Sequence, residues 1–369
     1  MNLQERINAF VTLGKFLGQF SDPFDTATEV DTEIVEAQEA IPFFEIFYDG
    51  MLQQLELAGN HNGWFTSENL QFTCNSWSEA LSEENLQKWV AAYDFSASEA
   101  SEKTKTIAII MAGNIPMVGF HDFLSVLISG HKVLAKLSSK DNQLLPYLAK
   151  YLVEIEPKFE PYISFTKEKL ENFDAVIATG SDNSSRYFDY YFGKYPHIIR
   201  KNRNSVAVLT GKETPQQMEA LADDIFRYFG LGCRNVSKIY LPKGYEMDRF
   251  FNGMFSWKEM INNNKYINNY DYNKAVYLMS GFDLLDNEFL LLKESEDHSS
   301  PISVIYYEYY NDLSELKIKL EAEKEKIQLI VANAGLNKEI PFGKAQQPEL
   351  WDYADGIDTL QFLVNITSE

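Results

Sequence analysis

The chain has few cysteines, few cations relative to its acids, and no long apolar run. Its 369 residues include only two cysteines, Cys74 and Cys233, which is too few for a disulfide framework and favours a reducing, cytoplasmic location. Acidic residues outnumber basic ones by 54 to 33, and the net charge of −21 argues against nucleic-acid partners and anionic membrane surfaces. An anionic small ligand needs only a local basic patch, so that ligand class stays open.

Membrane insertion and metal binding also find little support in the sequence. No segment reaches the ~20 apolar residues of a membrane-spanning helix, and the N-terminus carries Glu5 without the apolar core of a signal peptide. The 5 histidines are scattered, and none pairs with a cysteine or another histidine at zinc-site spacing. We therefore predict no stable membrane insertion and no metal.

The pattern of apolar residues changes once, at residue 104. Residues 1–103 carry apolar side chains at helical spacing, which predicts a helical segment. From 104 to 211, apolar strands alternate with helices, and the predicted strands are TIAIIMAG, KVLAKL, DAVIATG, HIIRKN and SVAVLTG. This alternation predicts a parallel sheet with right-handed crossovers, and ligands bind at the carboxyl ends of such strands.

A second α/β unit is predicted over 212–335. Its predicted strands are KIYLP, KAVYLMS, FLLLKES, ISVIYYEYY and KIQLIVANA, with a charged helix at 312–326. The tail, 336–369, ends in the apolar segment DTLQFLVNI, which we interpret as a strand at 358–366. Such a strand could pair with the sheet edge of another copy, so a homo-oligomer is compatible with the sequence.

Polar residues stand where several of these elements end. Asn114 in GNIP, Lys136 in VLAKLSS, and Gly180 with Ser181 in ATGS each follow a buried strand, and Cys233 lies in the Gly-rich junction GLGC. A thiol at a helix–strand junction is exposed enough to react, whereas a free cysteine is more often a small buried apolar residue. Taken singly, the asparagine also fits a turn and the lysine a strand end.

The order and spacing of these landmarks resemble the aldehyde dehydrogenase superfamily, as does PFGK near residue 341. The helical N-terminal segment with NGWFT and the Trp89–Tyr93 pair resemble its LuxC-type acyl-CoA reductase family more closely. The resemblance covers nearly the whole chain. It implies an aldehyde-dehydrogenase-like α/β fold with two Rossmann-like parallel-sheet domains: 104–211 binds the dinucleotide, 212–335 is catalytic, and 336–369 returns to the cofactor domain or an oligomer interface.

The same resemblance implies a site. Cys233 is expected to be the nucleophile and Asn114 an oxyanion donor, with NADPH or NADH as the hydride source. The absence of a G-x-G-x-x-G fingerprint does not oppose this, because the superfamily binds its dinucleotide without one. The residues expected to bind the cofactor are Ile115, Pro116, Lys136, Ser138, Thr179, Gly180, Ser181 and, by a looser match, Asp297.

The expected function is reduction of a fatty acyl thioester, on coenzyme A or on a protein, to an aldehyde through a thioacyl-enzyme. Hydrolytic members of the superfamily carry a Glu where this chain has Arg200, and no acidic residue occurs between Asp189 and Glu213. Without that base, water should be activated poorly, which disfavours an aldehyde-to-acid enzyme. Two alternatives stay open: an acylating aldehyde dehydrogenase for short chains, and an inert scaffold in a fatty-acyl complex.

Overall fold

The structure, a computed structural model, describes residues 1–21, 41–95, 104–180 and 182–368. The chain forms two compact units. The first joins Met1–Lys201 with Glu349–Glu369, and the second is Asn202–Pro348. Within the described residues, no helix combines the length and the apolar character that crossing a bilayer requires.

The first unit opens with helices, as the spacing of its apolar residues predicts. They are α1 (Leu3–Gly18), α2 (Phe44–His61), α3 (Ser67–Ala80) and α4 (Glu83–Val90). A capping box starts α1, because the Asn2 side chain accepts the Glu5 N–H and the Glu5 carboxylate accepts the Asn2 N–H. The inward face of α1 is fully buried at Phe10, Leu13 and Leu17, so this segment belongs to the core of the unit.

A parallel sheet follows, ordered β3-β2-β1-β4-β5. Its elements are β1 (Thr106–Ile110), α5 (Phe120–Ile128), β2 (Lys132–Lys136), α6 (Leu144–Ile155), β3 (Ile163–Phe165), β4 (Ala175–Thr179), α7 (Asp182–Phe192) and β5 (His197–Arg200). The centre of β1 and most of β4 are buried, as expected of strands covered on both faces. The predicted alternation of strands and helices is confirmed here.

The second unit contains a sheet ordered β12-β11-β6-β7-β10-β9-β8. Its elements are β6 (Asn204–Val208), α8 (Pro215–Phe226), β7 (Val236–Pro242), α9 (Met247–Met254), α10 (Asn264–Met279), β8 (Leu284–Asp286), β9 (Leu291–Glu294), β10 (Val304–Tyr310), α11 (Leu313–Ala322), β11 (Ile327–Ala332) and β12 (Glu339–Ile340). Neighbouring described strands are parallel except β8 and β9. We expected SVAVLTG in the first sheet, but β6 pairs with β7 and β11.

The strand predicted in KAVYLMS is wrong, because these residues end helix α10. Tyr266, Tyr270 and Asn273 are buried at helical spacing, whereas Leu278 and Met279 are exposed. The apolar residues at the end of this segment therefore face solvent. The buried residues of α10 recur three or four positions apart, which is the spacing of one helix face and not of a strand.

The tail strand predicted at 358–366 is also wrong, because helix α12 spans Thr359–Ser368. Leu360, Leu363 and Val364 are buried on one face, and the Asp358 carboxylate accepts the Gln361 N–H at the start of the helix. Consequently, this segment offers no strand for pairing with another copy.

Candidate active site

In the first unit, the carboxyl ends of β2, β1 and β4 lie side by side. Ile110, which ends β1, is in register with Lys136 on one side and Ala178 on the other. The predicted residues grouped at these ends are Asn114, Ile115, Pro116, Lys136, Ser138, Thr179 and Gly180. Ser181 lies outside the described residues. This edge is where open parallel sheets bind ligands, so the first unit gathers these residues at the expected place.

The loop that carries Asn114 is fixed against the loop after β2. A Cβ built on Gly113 would lie 2.6 Å from the Ser138 Cβ, so only glycine fits at this approach. Met117 has a left-handed φ of 54°, and its N–H donates to the Asp141 carboxylate at 2.8 Å. Burial raises the pKa of Asp141 to about 6. These contacts hold the half-buried Asn114 side chain on a defined backbone.

Lys136 and the start of α7 provide positive potential at the same edge. The half-buried Lys136 donates from Nζ to the Glu168 carbonyl at 3.0 Å, and an ammonium has three donors. Gly180 lies two residues before Asp182, the first residue of α7, whose N-terminus carries the positive end of the helix dipole. A phosphate-bearing dinucleotide therefore fits the residues of this sheet edge.

Cys233 lies in the second unit, in the turn between α8 and β7, and is exposed. Three consecutive residues before it have left-handed φ angles: Tyr228 at 54°, Phe229 at 58° and Gly230 at 73°. The first two are strained for side-chain-bearing residues, but their side chains are buried and packing holds the sharp turn. By contrast, Cys74 is buried in α3, which raises the pKa of its thiol to about 12.

Asn235 fixes the turn from the other side. Its Nδ2 donates to the carbonyls of Asp224, Ile225 and Arg227 at 2.8–3.2 Å, and its Oδ1 accepts the Gly232 N–H at 2.8 Å. One side chain thus joins the end of α8 to the residue before Cys233. The Cys233 carbonyl in turn accepts from the Ser205 hydroxyl at 2.9 Å. The nucleophile candidate is exposed on a backbone that is held on both sides.

The PFGK segment is anchored to the same turn by Asp224. The buried Asp224 carboxylate accepts the N–H groups of Gly343 at 2.6 Å and Ala345 at 2.8 Å. Arg234, next to the cysteine, donates from Nε to the Ala345 carbonyl at 2.6 Å. Burial raises the pKa of Asp224 to about 7, and the two N–H groups partly oppose that rise.

Asp297 is exposed in the loop after β9. The Asp297 N–H donates to the Ser295 hydroxyl at 3.2 Å. The carbonyl of the following residue, His298, accepts from the Ser237 hydroxyl at 2.6 Å. The second unit therefore brings the Asp297 loop onto β7, the strand that follows Cys233.

A match to a protein-family model shows the family to which the chain belongs. The model described as Acyl-CoA reductase (LuxC) matches residues 46–251, which is more than half of the chain and includes Cys233. The chain belongs to the LuxC family. LuxC membership makes it an oxidoreductase of acyl or aldehyde groups. No curated protein matches the sequence significantly.

Solved structures show the fold of this LuxC chain independently. Aldehyde dehydrogenase 21 from Physcomitrella patens, bound to succinate, matches 100% of this chain and 85% of its own at a TM-score of 0.66 and 12% identity. The E. coli NADP dependent enzyme matches 93% and 85% at 0.57 and 12% identity. The P. syringae indole-3-acetaldehyde dehydrogenase with NAD+ matches 90% and 73% at 0.60 and 13% identity. The LuxC chain therefore has the aldehyde dehydrogenase fold that the sequence predicts.

Arg200 has a different role from the glutamate whose place it takes in the resemblance. It ends β5, is buried, and binds both carboxylate oxygens of Asp122. Its Nη2 also donates to the Thr359 hydroxyl at 2.9 Å. In this LuxC chain the side chain is thus an anchor for α12 in the first unit.

Sequence reasoning missed Asn235 and Asp224, although one signal pointed to the second. Within α8, Asp224 falls on the buried face with Leu221 and Ile225. A carboxylate on an apolar face needs hydrogen-bond donors, so its position predicts a partner elsewhere in the chain. Asn235 gave no such signal, because an asparagine beside glycines fits an ordinary turn.

Proposed function

We propose that this LuxC chain is an NAD(P)H-dependent acyl-CoA reductase that forms aldehydes through a thioacyl intermediate on Cys233. The observation that carries the proposal is the exposed thiol of Cys233 on a turn fixed by Asn235. Thiolate nucleophiles need access and a defined backbone, and the second cysteine, Cys74, has neither access nor a low pKa.

Two covalent steps follow from the chemistry of a thiolate. The Cys233 sulfur attacks the thioester carbonyl, the new C–S bond forms, and the coenzyme A thiolate leaves and takes up a proton. Hydride addition to the acyl carbon then gives a thiohemiacetal anion, whose C–S bond breaks to release aldehyde and regenerate the thiolate. We assign Asn114 as a donor to the oxyanion of each tetrahedral species, where one such donor contributes about 10²–10³-fold in rate.

A reduced nicotinamide supplies the hydride when bound. The sheet edge at Lys136, Ser138 and Gly180 supports a dinucleotide there, because strand ends, an ammonium and a helix N-terminus converge on it. Solved neighbours of the same fold include an NAD+ complex and an NADP dependent enzyme, which supports the same cofactor class. We propose that Ile115, Pro116, Thr179 and Ser181 complete this site, and that Asp297, by its looser match to the superfamily, is a further cofactor-binding residue.

The decisive experiment is the intact mass of the protein after incubation with a long-chain acyl-CoA and no cofactor. We expect one acyl adduct in the wild type and in Cys74→Ala, and none in Cys233→Ala. Adding NADPH or NADH should remove the adduct and release aldehyde. An adduct with short acyl donors alone would favour the acylating dehydrogenase. No adduct with any acyl-CoA or acyl-protein donor would favour the scaffold.

A further inference from the structure

A lysine is fully buried on the strand that follows the proposed nucleophile. The Lys238 side chain, on β7, has 0% exposure. An ammonium in such a place is costly unless each of its charges and donors is satisfied. Its Nζ donates to the Glu308 carboxylate at 2.8 Å and to the Glu296 carbonyl at 2.8 Å. Burial lowers the pKa of Lys238, and the neighbouring Glu308 opposes that change.

The second of these contacts reaches the loop that carries Asp297. Lys238 binds the carbonyl just before Asp297, and Ser237 binds the carbonyl of His298 just after it. Consecutive residues of β7 therefore hold the backbone on both sides of Asp297, while its side chain stays exposed. These two hydrogen bonds fix the backbone position of Asp297 within the second unit, and its carboxylate remains exposed to solvent.

Glu308 binds the Lys238 ammonium and also a second lysine, which provides a control for the role of Lys238. The Glu308 carboxylate, on β10, also binds Lys319 of α11. The Lys319 ammonium donates to Glu308, whereas the Lys238 ammonium donates to Glu308 and to the Glu296 carbonyl. Replacing either lysine thus leaves Glu308 paired with the other lysine. Of the two lysines, Lys238 is the one that binds the Asp297 loop.

We propose that Lys238 is a positioning residue for the cofactor, because it fixes the loop that presents Asp297. The inference rests on the proposed function, in which Asp297 contributes to nicotinamide cofactor binding. A purely structural lysine would use the Glu296 carbonyl only to satisfy its buried ammonium, and its replacement would then leave cofactor affinity unchanged. The expected consequence is a loss of cofactor affinity with unchanged chemistry at Cys233.

The experiment compares Lys238→Met, Ser237→Ala and the matched control Lys319→Met with the wild type. NADPH and NADH affinities are measured by nucleotide fluorescence titration, and Cys233 acylation by intact mass without cofactor. We expect Lys238→Met to weaken binding of the preferred nucleotide about tenfold or more, as for loss of a hydrogen bond to a charged group. Ser237→Ala should weaken it less, and Lys319→Met should not change it. Acylation rates should be equal in all four proteins.

Amide hydrogen exchange gives a readout that needs no substrate. Exchange at residues 296–298 should be faster in Lys238→Met than in Lys319→Met. Unchanged affinity in both Lys238→Met and Ser237→Ala, or an equal loss in Lys319→Met, would overturn the positioning role. A parallel loss of acylation and affinity would also overturn it, since the lysine would then support the whole unit. If Lys238→Met fails to fold, Ser237→Ala decides. A wild type that binds nucleotide but is never acylated would overturn only the proposed reaction.

Discussion

Arg200 and Asp122 form a buried bidentate ion pair inside the first unit, with the Arg200 Nη2 to Asp122 Oδ1 distance at 2.7 Å. The guanidinium also donates to Thr359 at the start of α12. One side chain at the end of β5 therefore ties α5 to the C-terminal helix. Such a pair contributes to the placement of the tail, because neither charge has access to water.

Replacing Arg200 by Met should destabilise the first unit by about 3–5 kcal/mol, because Asp122 would be left buried without its partner. Equilibrium urea unfolding measures this loss. Lys201→Met is the matched control, since that side chain is exposed and only its backbone N–H binds Asp355. The double variant Arg200→Met with Asp122→Leu should recover part of the stability. Equal stability of the two single variants would contradict a stabilising role for the ion pair.

The stability of the second unit should depend on pH through Asp224. Burial raises the pKa of this carboxyl from 3.8 to about 7, so between these values the folded chain binds a proton that the unfolded chain has lost. The contribution of Asp224 to stability is full below pH 3.8 and falls as the pH rises to about 7. Asp224→Asn cannot ionise and should lack this slope, which is at most about 1.4 kcal/mol per pH unit.

The measurement for Asp224 is urea unfolding of the wild type and the variant at several pH values from 5 to 8. The free energy of unfolding of the variant should increase relative to that of the wild type as the pH rises. Glu219→Gln is the control, because Glu219 is an exposed carboxylate on the same helix and is not among the groups that affect Asp224. A difference that stays constant over this range would show that Asp224 does not titrate there. The charged groups that affect this carboxyl are Asp223 and Arg234.

Asn114→Ala should slow acylation of Cys233 by about 10²–10³-fold, as for loss of one oxyanion donor. Nucleotide affinity should be unchanged, because the substitution leaves in place the close approach of Gly113 to Ser138 and the bond from the Met117 N–H to Asp141. Rapid-quench mass measurement gives the acylation rate, and fluorescence titration gives the affinity. An unchanged acylation rate would make Asn114 a structural turn residue.

Much of the fold could be read from the sequence, and the failures have physical causes. Four of the five strands of the first sheet were predicted, because each is an apolar run that ends in glycine or a polar residue, whereas β3 is only three residues long and mostly exposed and was missed. In α10 and α12, apolar residues are dense enough to suit either a strand or a helix, and only burial of Tyr270 or Leu363 separates the two. The partners of Arg200 and Asp224 were not predictable, because both bind residues more than a hundred positions away in the chain.

The final prediction concerns the fate of the acyl group on Cys233. No acidic residue occurs between Asp189 and Glu213, and Arg200 in this segment is committed to Asp122, so this segment offers no carboxylate base for water. The acyl group then has three exits: back to a thiol, forward by hydride, or slowly to water. Without reduced cofactor, the acyl-enzyme should accumulate and persist.

Quenched samples of the acylated protein, followed by mass over time without cofactor, measure this persistence. Adding a free thiol should discharge the adduct as a new thioester, whereas adding NADPH or NADH should discharge it as aldehyde. Thiol exchange leaves the overall number of free protons unchanged, whereas overall reduction of an acyl-CoA consumes one proton, which the released coenzyme A thiolate takes up. Steady release of free fatty acid at the rate of turnover would instead mean that another group activates water. The proposed reductase function would then be replaced by that of a hydrolytic dehydrogenase or a thioesterase, because in those enzymes water removes the acyl group rapidly and the adduct is short-lived.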